Sequence, residues 1–167
     1  MKLLYLVRHA KSFWENEWLD DFERPLNRRG KRDAPVMADR LRELGVRPDR
    51  VLSSPAARAA STARILAPVL GYAREQVLYL ENLYDASSSD LLRVISGHAD
   101  DAHSLMIVAH NPGITLLANR LGRAHIENVP TAGAVALEVD IPRWDTIADG
   151  CAETVFFEYP KKSPERA

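Results

Sequence analysis

Cysteine is almost absent from the chain: Cys151 is the only one in 167 residues. A single thiol excludes a framework of intramolecular disulfides and leads us to expect a reduced, cytoplasmic setting, with Cys151 inert. Charge of one sign is equally scarce. Lys and Arg number 22 against 23 Asp and Glu, a formal net charge of −1. There is then no broad basic field for nucleic acid or an anionic membrane, and any recognition of an anion has to be local. Long apolar runs are missing too. No stretch approaches the ~18 residues a membrane helix needs, and the apolar run after Lys2 stops at Arg8, too soon for a secretory leader. Repeats and low-complexity segments do not occur. The 46% hydrophobic content suits one well-cored domain, expected over 1–159, with the charged, proline-bearing 160–167 as a disordered tail.

What is present alternates between strand and helix signals. Leu3-Leu4-Tyr5-Leu6-Val7 reads as a buried strand that delivers Arg8 and His9 to its C-terminal edge. Lys11 to Glu23 has no period and reads as a long loop. Asn27 can cap a helix running through Leu44, with Val36, Met37, Leu41 and Leu44 inward, Pro35 bending it and Gly45 as its stop. Val51–Ser53 is a second strand. Ser54-Pro55 reads as an N-cap with proline at the first helical position, opening a helix to Leu70.

Val77–Leu80 is expected as a third strand, followed by a loop from Glu81 to Ser87. Ser88 or Ser89 then caps a helix through Ile95 that stops at Gly97. Ser104–Ala109 is the clearest buried strand, and Asn111-Pro112 repeats the cap-plus-proline device for a helix to about Leu121. Ala134–Val139 and Thr154–Tyr159 are two further strands with no helix between them, expected to pair antiparallel at the sheet edge. The fold class is α/β: a three-layer sandwich with a mainly parallel central sheet and helices on both faces.

Parallel strands place their C-termini on one edge, where open α/β sheets bind ligands. Arg8 and His9 follow the first strand, Arg58 lies in the first turn of the helix after the second, and His110 follows Ala109. Two arginines and two histidines beside two helix N-termini suit a phosphoryl group. Arginine forks match its oxygens and keep their charge, and a neutral imidazole can attack phosphorus. This chemistry calls for no metal and no cofactor. A positive Arg58 in a first helical turn opposes the dipole, which makes sense if an anion sits there.

Four segments in order carry a resemblance: Leu6-Val7-Arg8-His9-Ala10-Lys11-Ser12; Arg24-Pro25-Leu26-Asn27 with Gly30; Ser53-Ser54-Pro55-Ala56-Ala57-Arg58-Ala59 with Thr62; and Val108-Ala109-His110-Asn111-Pro112-Gly113. Together they resemble the histidine phosphatase superfamily, of phosphoglycerate mutase-like fold, and within it the small SixA-type phosphohistidine phosphatases. The resemblance implies that His9 is the phosphorylated nucleophile and that Arg8, Arg58 and His110 bind the phosphoryl group. It makes Arg24 a secondary substrate contact and Ser12 a weaker one.

Three departures matter. Ala10 stands where much of the superfamily has glycine. Glu15 holds the place of an asparagine found in the mutase relatives, with Asn16 one step late. The longer insertion that brings those relatives a general-acid glutamate is replaced by Glu81-Asn82-Leu83-Tyr84-Asp85. Glu81 or Asp85 could donate a proton to a leaving group, and both also read as solvated loop acids. Phosphohistidine leaves as an imidazole and needs such a donor less than an alkoxide does.

The expected function is therefore a metal-independent phosphatase acting on phosphohistidine in proteins through a covalent phosphohistidine intermediate. The alternatives are a small-molecule phosphomonoesterase and a non-catalytic phosphate-binding module. The expected partner is a phosphorylated protein or a small phosphate ester, with no nucleic acid or membrane, and the chain is expected to be a monomer. His98, Asp100, Asp101 and His103 form an H-x-D-D-x-H that reads as a solvated turn at the opposite edge, not a metal site. His125 reads as a surface residue. Trp14, Trp18 and Phe22 either line the mouth of the site or pack the first loop down. The run Arg24, Arg28, Arg29, Lys31 and Arg32 lies where it could steer phosphorylated partners.

Overall fold

The two-residue period of the strands splits the apolar core into two halves, one on each face of a central sheet. The computed structural model describes residues 1–14 and 18–162. Six strands, β1 (Lys2–Arg8), β2 (Arg50–Ser53), β3 (Leu78–Tyr79), β4 (Ser104–Ala109), β5 (Ala134–Val139) and β6 (Ala152–Glu158), are ordered β3-β2-β4-β1-β5-β6. The first four in that order run parallel, and β5 and β6 add antiparallel at one edge. On β1, Leu4 and Leu6 face one core while Tyr5 and Val7 face the other; on β4, Leu105 and Ile107 oppose Met106 and Val108 in the same way.

Among the described residues four α-helices cover the faces: α1 (Arg28–Glu43), α2 (Ala57–Val69), α3 (Ser88–His98) and α4 (Gly113–Leu121). Met37 and Leu41 of α1 and Ala63 and Leu66 of α2 pack on the Tyr5 side. Leu91 and Ile95 of α3 and Ile114 and Leu117 of α4 pack on the Leu4 side. The architecture is the three-layer α/β sandwich expected from the phosphoglycerate mutase-like resemblance. None of the helices among the described residues is long and apolar enough to cross a membrane.

Several local expectations are corrected. α1 does begin after Asn27, whose side chain accepts from Gly30 N at 2.8 Å, and it continues through Pro35. Its buried face is Gly30, Asp33, Ala34, Met37, Ala38 and Leu41, so Val36 and Leu44 point to solvent. Small residues here let the helix lie close to the sheet, a pattern that scoring apolar bulk overlooks.

Ser54 does not cap α2. The helix starts at Ala57 with Ala56 at the cap; the wholly buried Ser54 instead accepts from Ala56 N at 3.2 Å and pairs with His110 Nε2. α3 is capped by Ser87 in a reciprocal box with Asp90, not by Ser88 or Ser89, and runs through Gly97 to His98. Serines in a row leave the cap ambiguous, and the acid three residues on decides it.

At α4 the cap position is Pro112. Asn111 still serves this end, accepting from Thr115 N at 3.2 Å and Thr115 Oγ1 at 2.8 Å. Strand β3 is shorter than expected, since Val77 ends a 3-10 turn over Arg74–Gln76. Residues 160–162 form a turn, and Arg40 donates to the carbonyls of Tyr159, Pro160 and Lys162. Residues 163–167 of the expected tail, like Glu15 and Asn16, lie outside the described residues.

Candidate active site

A cavity of about 400 Å³ opens at the C-terminal edge of the parallel strands, and Arg8, His9, Arg58 and His110 all line it. β1 ends at Arg8, so His9 is the first residue past the strand. It stays in register through its N–H to Ala109 O at 3.1 Å and its carbonyl, which accepts from Ala132 N at 3.0 Å. Thr62 ties this turn to α2: its Oγ1 accepts from Ala10 N at 2.9 Å and donates to Arg58 O at 2.8 Å. One hydroxyl therefore fixes the spacing between the turn that carries His9 and the helical turn that carries Arg58.

The His9 tautomer follows from its partner. Nδ1 lies 2.7 Å from Ala10 O, a carbonyl that can only accept, so Nδ1 carries the proton and Nε2 keeps its lone pair. Burial lowers the His9 pKa to about 3, despite the bond to Ala10, with further depression from His110, Arg58 and Arg8. His110 is lowered to about 4, by burial first and then by Arg58. Both imidazoles are neutral near pH 7. The rings are 5.2 Å apart, and His110 Nε2 is 2.7 Å from Ser54 Oγ.

Among the described residues three buried nitrogens have no partner: Arg8 Nε, Arg58 Nε and His110 Nδ1. Buried polar groups are normally satisfied, and these belong to residues lining one cavity; the two arginine N–H groups can only donate, as an anion requires, and His110 Nδ1 joins them in the tautomer whose Nε2 accepts from Ser54 Oγ. Arg8 also donates Nη1 to Val129 O at 3.1 Å. Burial, and then Arg58, lower its pKa, the mark of cations crowded together.

Arg24 and Ser12 belong to the same cavity. Arg24 Nη1 donates to Ser12 Oγ at 2.9 Å, and Ser12 pairs with Leu26 across the base of the loop. The loop is held there by Gly30, where a Cβ would overlap the Lys11 carbonyl oxygen. Of the two proposed proton donors, Asp85 lines the cavity, whereas Glu81 is exposed in the 3-10 turn Glu81–Leu83 and does not. Trp14 also lines it, with the Arg24 guanidinium 3.6 Å from its ring centroid. Phe22 packs edge-on to Tyr84, with ring centroids 5.1 Å apart, and Trp18 is exposed.

Sequence reasoning missed Asp21, and with it Tyr84 and Thr131, all of which line the cavity. At Asp21 the bonding is dense. Arg58 donates Nη1 to its carbonyl at 2.6 Å and Nη2 to its Oδ2 at 3.0 Å. Arg24 donates Nε and Nη2 to Oδ1 at 3.1 and 2.8 Å, and Tyr84 OH donates to Oδ2 at 2.6 Å. Burial works to raise its pKa, but the bonds from Tyr84, Arg24 and Arg58 outweigh this and hold the carboxyl well below the usual range. An aperiodic loop gave no signal for it; only its distance of three residues from Arg24 did. Lys11, Asn111 and Thr131 complete the lining, whose charged members are four cations and two acids.

At the opposite edge, His98, Asp100, Asp101 and His103 precede β4, with Asp100 3.3 Å from Arg50 and His103 N donating to Asp49 Oδ2 at 2.9 Å. No group of three or more metal-ligating side chains gathers among the described residues.

The family model for the histidine phosphatase superfamily (branch 1) matches residues 4–92. An uncharacterised protein of Mycobacterium tuberculosis is 33% identical over 168 residues, covering 93% of this chain and 100% of its own. A structure assigned to phosphohistidine phosphatase SixA of Agrobacterium tumefaciens superposes with a TM-score of 0.78 at 29% identity, covering 95% of this chain and 98% of that one. A structure assigned to phosphohistidine phosphatase SixA of Nakamurella multipartitia gives a TM-score of 0.81 at 24% identity over 96% and 97% of the two chains, a likeness of fold. The fold is also shared, at a TM-score of 0.64 and 14% identity over 98% of this chain and 100% of the other, with a mycobacterial glucosyl-3-phosphoglycerate phosphatase. With its motifs on one sheet edge and its structural likeness on the SixA side, the chain belongs to the histidine phosphatase superfamily, branch 1.

Proposed function

We propose that the chain is a metal-independent phosphatase that hydrolyses phosphohistidine in proteins. The observation that carries this reading is the fixed His9 tautomer: Nδ1–H is committed to Ala10 O, and Nε2 is left unprotonated beside buried cations. In the first step the Nε2 lone pair attacks phosphorus and the P–N bond to the substrate imidazole breaks; that imidazole, protonated from solvent on its free ring nitrogen, takes the bonding pair and departs neutral as the phosphoryl group passes to His9. In the second, water attacks the phosphoryl group, a proton is lost to solvent, orthophosphate leaves and Nε2 regains its lone pair. Arg8, Arg58 and His110 supply donors to the equatorial oxygens, where charge is spread in the transition state, with Arg24 and Ser12 as outer contacts. We place the reaction in the cytoplasm and the protein as a monomer.

Asp85 supports a second reading. A carboxyl on the cavity wall could protonate an alkoxide, which would suit a small-molecule phosphomonoesterase. Parallel turnover of a phosphohistidine peptide, an aryl phosphate and a sugar phosphate separates the two. The phosphohistidine reading expects the peptide to be preferred, acid-labile phosphate to be trapped on the wild type but not on His9→Ala, and activity to survive EDTA. A preference for the sugar phosphate would favour the esterase, and binding without turnover of any substrate would leave a phosphate-binding module.

A further inference from the structure

The first turn of α1 carries arginines where helices usually carry acids. Arg28 and Arg29 open the helix and no acidic residue lies in that turn, an arrangement that opposes the helix dipole. Arg28, Arg29 and Arg32 line an open groove together with Lys11 and the exposed rings of Phe13 and Trp14. Lys11, Ser12 and Trp14 also line the catalytic cavity, so the groove runs on from it with Trp14 as the shared wall.

Among the described residues, neutralisation of this face is slight. Arg29 and Arg32 share the single carboxylate of Asp33, at 3.5 and 3.7 Å, and among the described residues no ion pair involves Lys11 or Arg28. In a chain of formal charge −1, this excess is local. Exposed aromatic and arginine side chains side by side are the composition of a protein-binding surface. Phe13 and Trp14, 41% and 72% exposed, supply apolar area that a second phosphate would leave unused.

We propose that this groove docks an acidic polypeptide segment flanking the phosphorylated residue of the partner. The proposal rests on the phosphoprotein reading and deepens it. The phosphoryl group enters the cavity, the chain crosses Trp14, and Asp or Glu side chains meet Arg28, Arg29 and Arg32. Complementary charge of this kind acts mainly on encounter rate and is screened by salt.

The test compares two phosphohistidine peptides, one flanked by glutamates and one by glutamines, on wild type and on Arg28→Glu/Arg32→Glu. For the wild type at low salt, kcat/KM is expected to favour the acidic peptide about tenfold. High salt and the double variant should each bring that ratio close to one, with the glutamine peptide turned over as before. Glutamate at 28, in the first helical turn, suits the dipole, and Asp33 keeps Arg29 as its partner when Arg32 is replaced, so the variant is expected to keep its fold, and Arg28→Gln/Arg32→Gln should fall between.

A ratio unchanged in the double variant while turnover continues would overturn the docking groove and leave the phosphatase reading standing. If neither peptide is hydrolysed but a sugar phosphate is, the phosphohistidine reading fails by itself. The groove is then judged by fluorescence anisotropy of the unphosphorylated glutamate peptide, where equal binding by wild type and double variant overturns it. Tighter binding of random-sequence duplex DNA than of that peptide would also overturn it, in favour of nucleic acid.

Discussion

Two arginines converging on one carboxylate give Asp21 opposing effects on a phosphoryl ligand. It holds the guanidiniums of Arg24 and Arg58 in place, and it also occupies donors an anion would use. In Asp21→Asn the arginines lose their charge partner while keeping a polar side chain of the same shape. Because the carboxylate is half exposed, at 50%, the loss to the free protein is expected to be about 1 kcal/mol after solvent screening. Orthophosphate or vanadate should restore much of it by supplying the missing anion. The thermal shift on adding either ligand is then expected to be larger in Asp21→Asn than in wild type, and an equal or smaller shift would mean that Asp21 does not share its arginines with the phosphoryl group. His9, Arg8, Arg58 and His110 could be read from the sequence because each sits within a few residues of a strong strand signal. Asp21 could not, since only the folded loop brings it to Arg58, 37 residues away.

Close approach between elements sets the position of the cavity as much as any side chain in it. The first turn of α1 presses on the loop after β1 at Gly30, and α4 presses on the loop before α3 at Gly113, where a Cβ would overlap the Ala86 carbonyl oxygen. Backbone atoms cannot swing aside as a side-chain end can. Gly30→Ala is therefore expected to cost about 1–3 kcal/mol as overpacking and to lower activity by moving Lys11 and Ser12. Gly97 is the contrast: it is exposed inside α3 with nothing near its Cβ position, so Gly97→Ala should stabilise by about 0.5–1 kcal/mol. Denaturant midpoints of the two variants check both signs. Strand and helix order was legible at this scale because buried strands are short apolar runs and helices alternate with them. Caps were less so: Ser54 lies two residues before the cap of α2 and pairs with a buried histidine, and Ser87 was chosen by Asp90, both partners outside the dipeptides that signalled a helix start.

The whole molecule joins catalysis to acid stability through one decision, the burial of two neutral histidines beside three arginines. Free histidine titrates near 6.5, whereas His9 in the fold is lowered to about 3 and His110 to about 4. Between those values the unfolded chain binds protons that the native state refuses, so stability falls as pH falls. The contribution is fully present above pH 6.5 and is lost progressively down to about pH 4 and then 3; each unit of depression corresponds to about 1.4 kcal/mol. The same depression keeps His9 Nε2 unprotonated, so no loss of turnover from its protonation is expected between pH 5 and 7. Activity should end on the acid side by unfolding instead of by a titration near 6.5. Unfolding free energies of wild type and His110→Gln from pH 7 to pH 4 test this directly: the variant removes one of the two groups, and its stability should fall less steeply with acid. Parallel curves would mean that His110 titrates alike in the folded and unfolded chains, and burial would then not be what keeps the imidazole neutral.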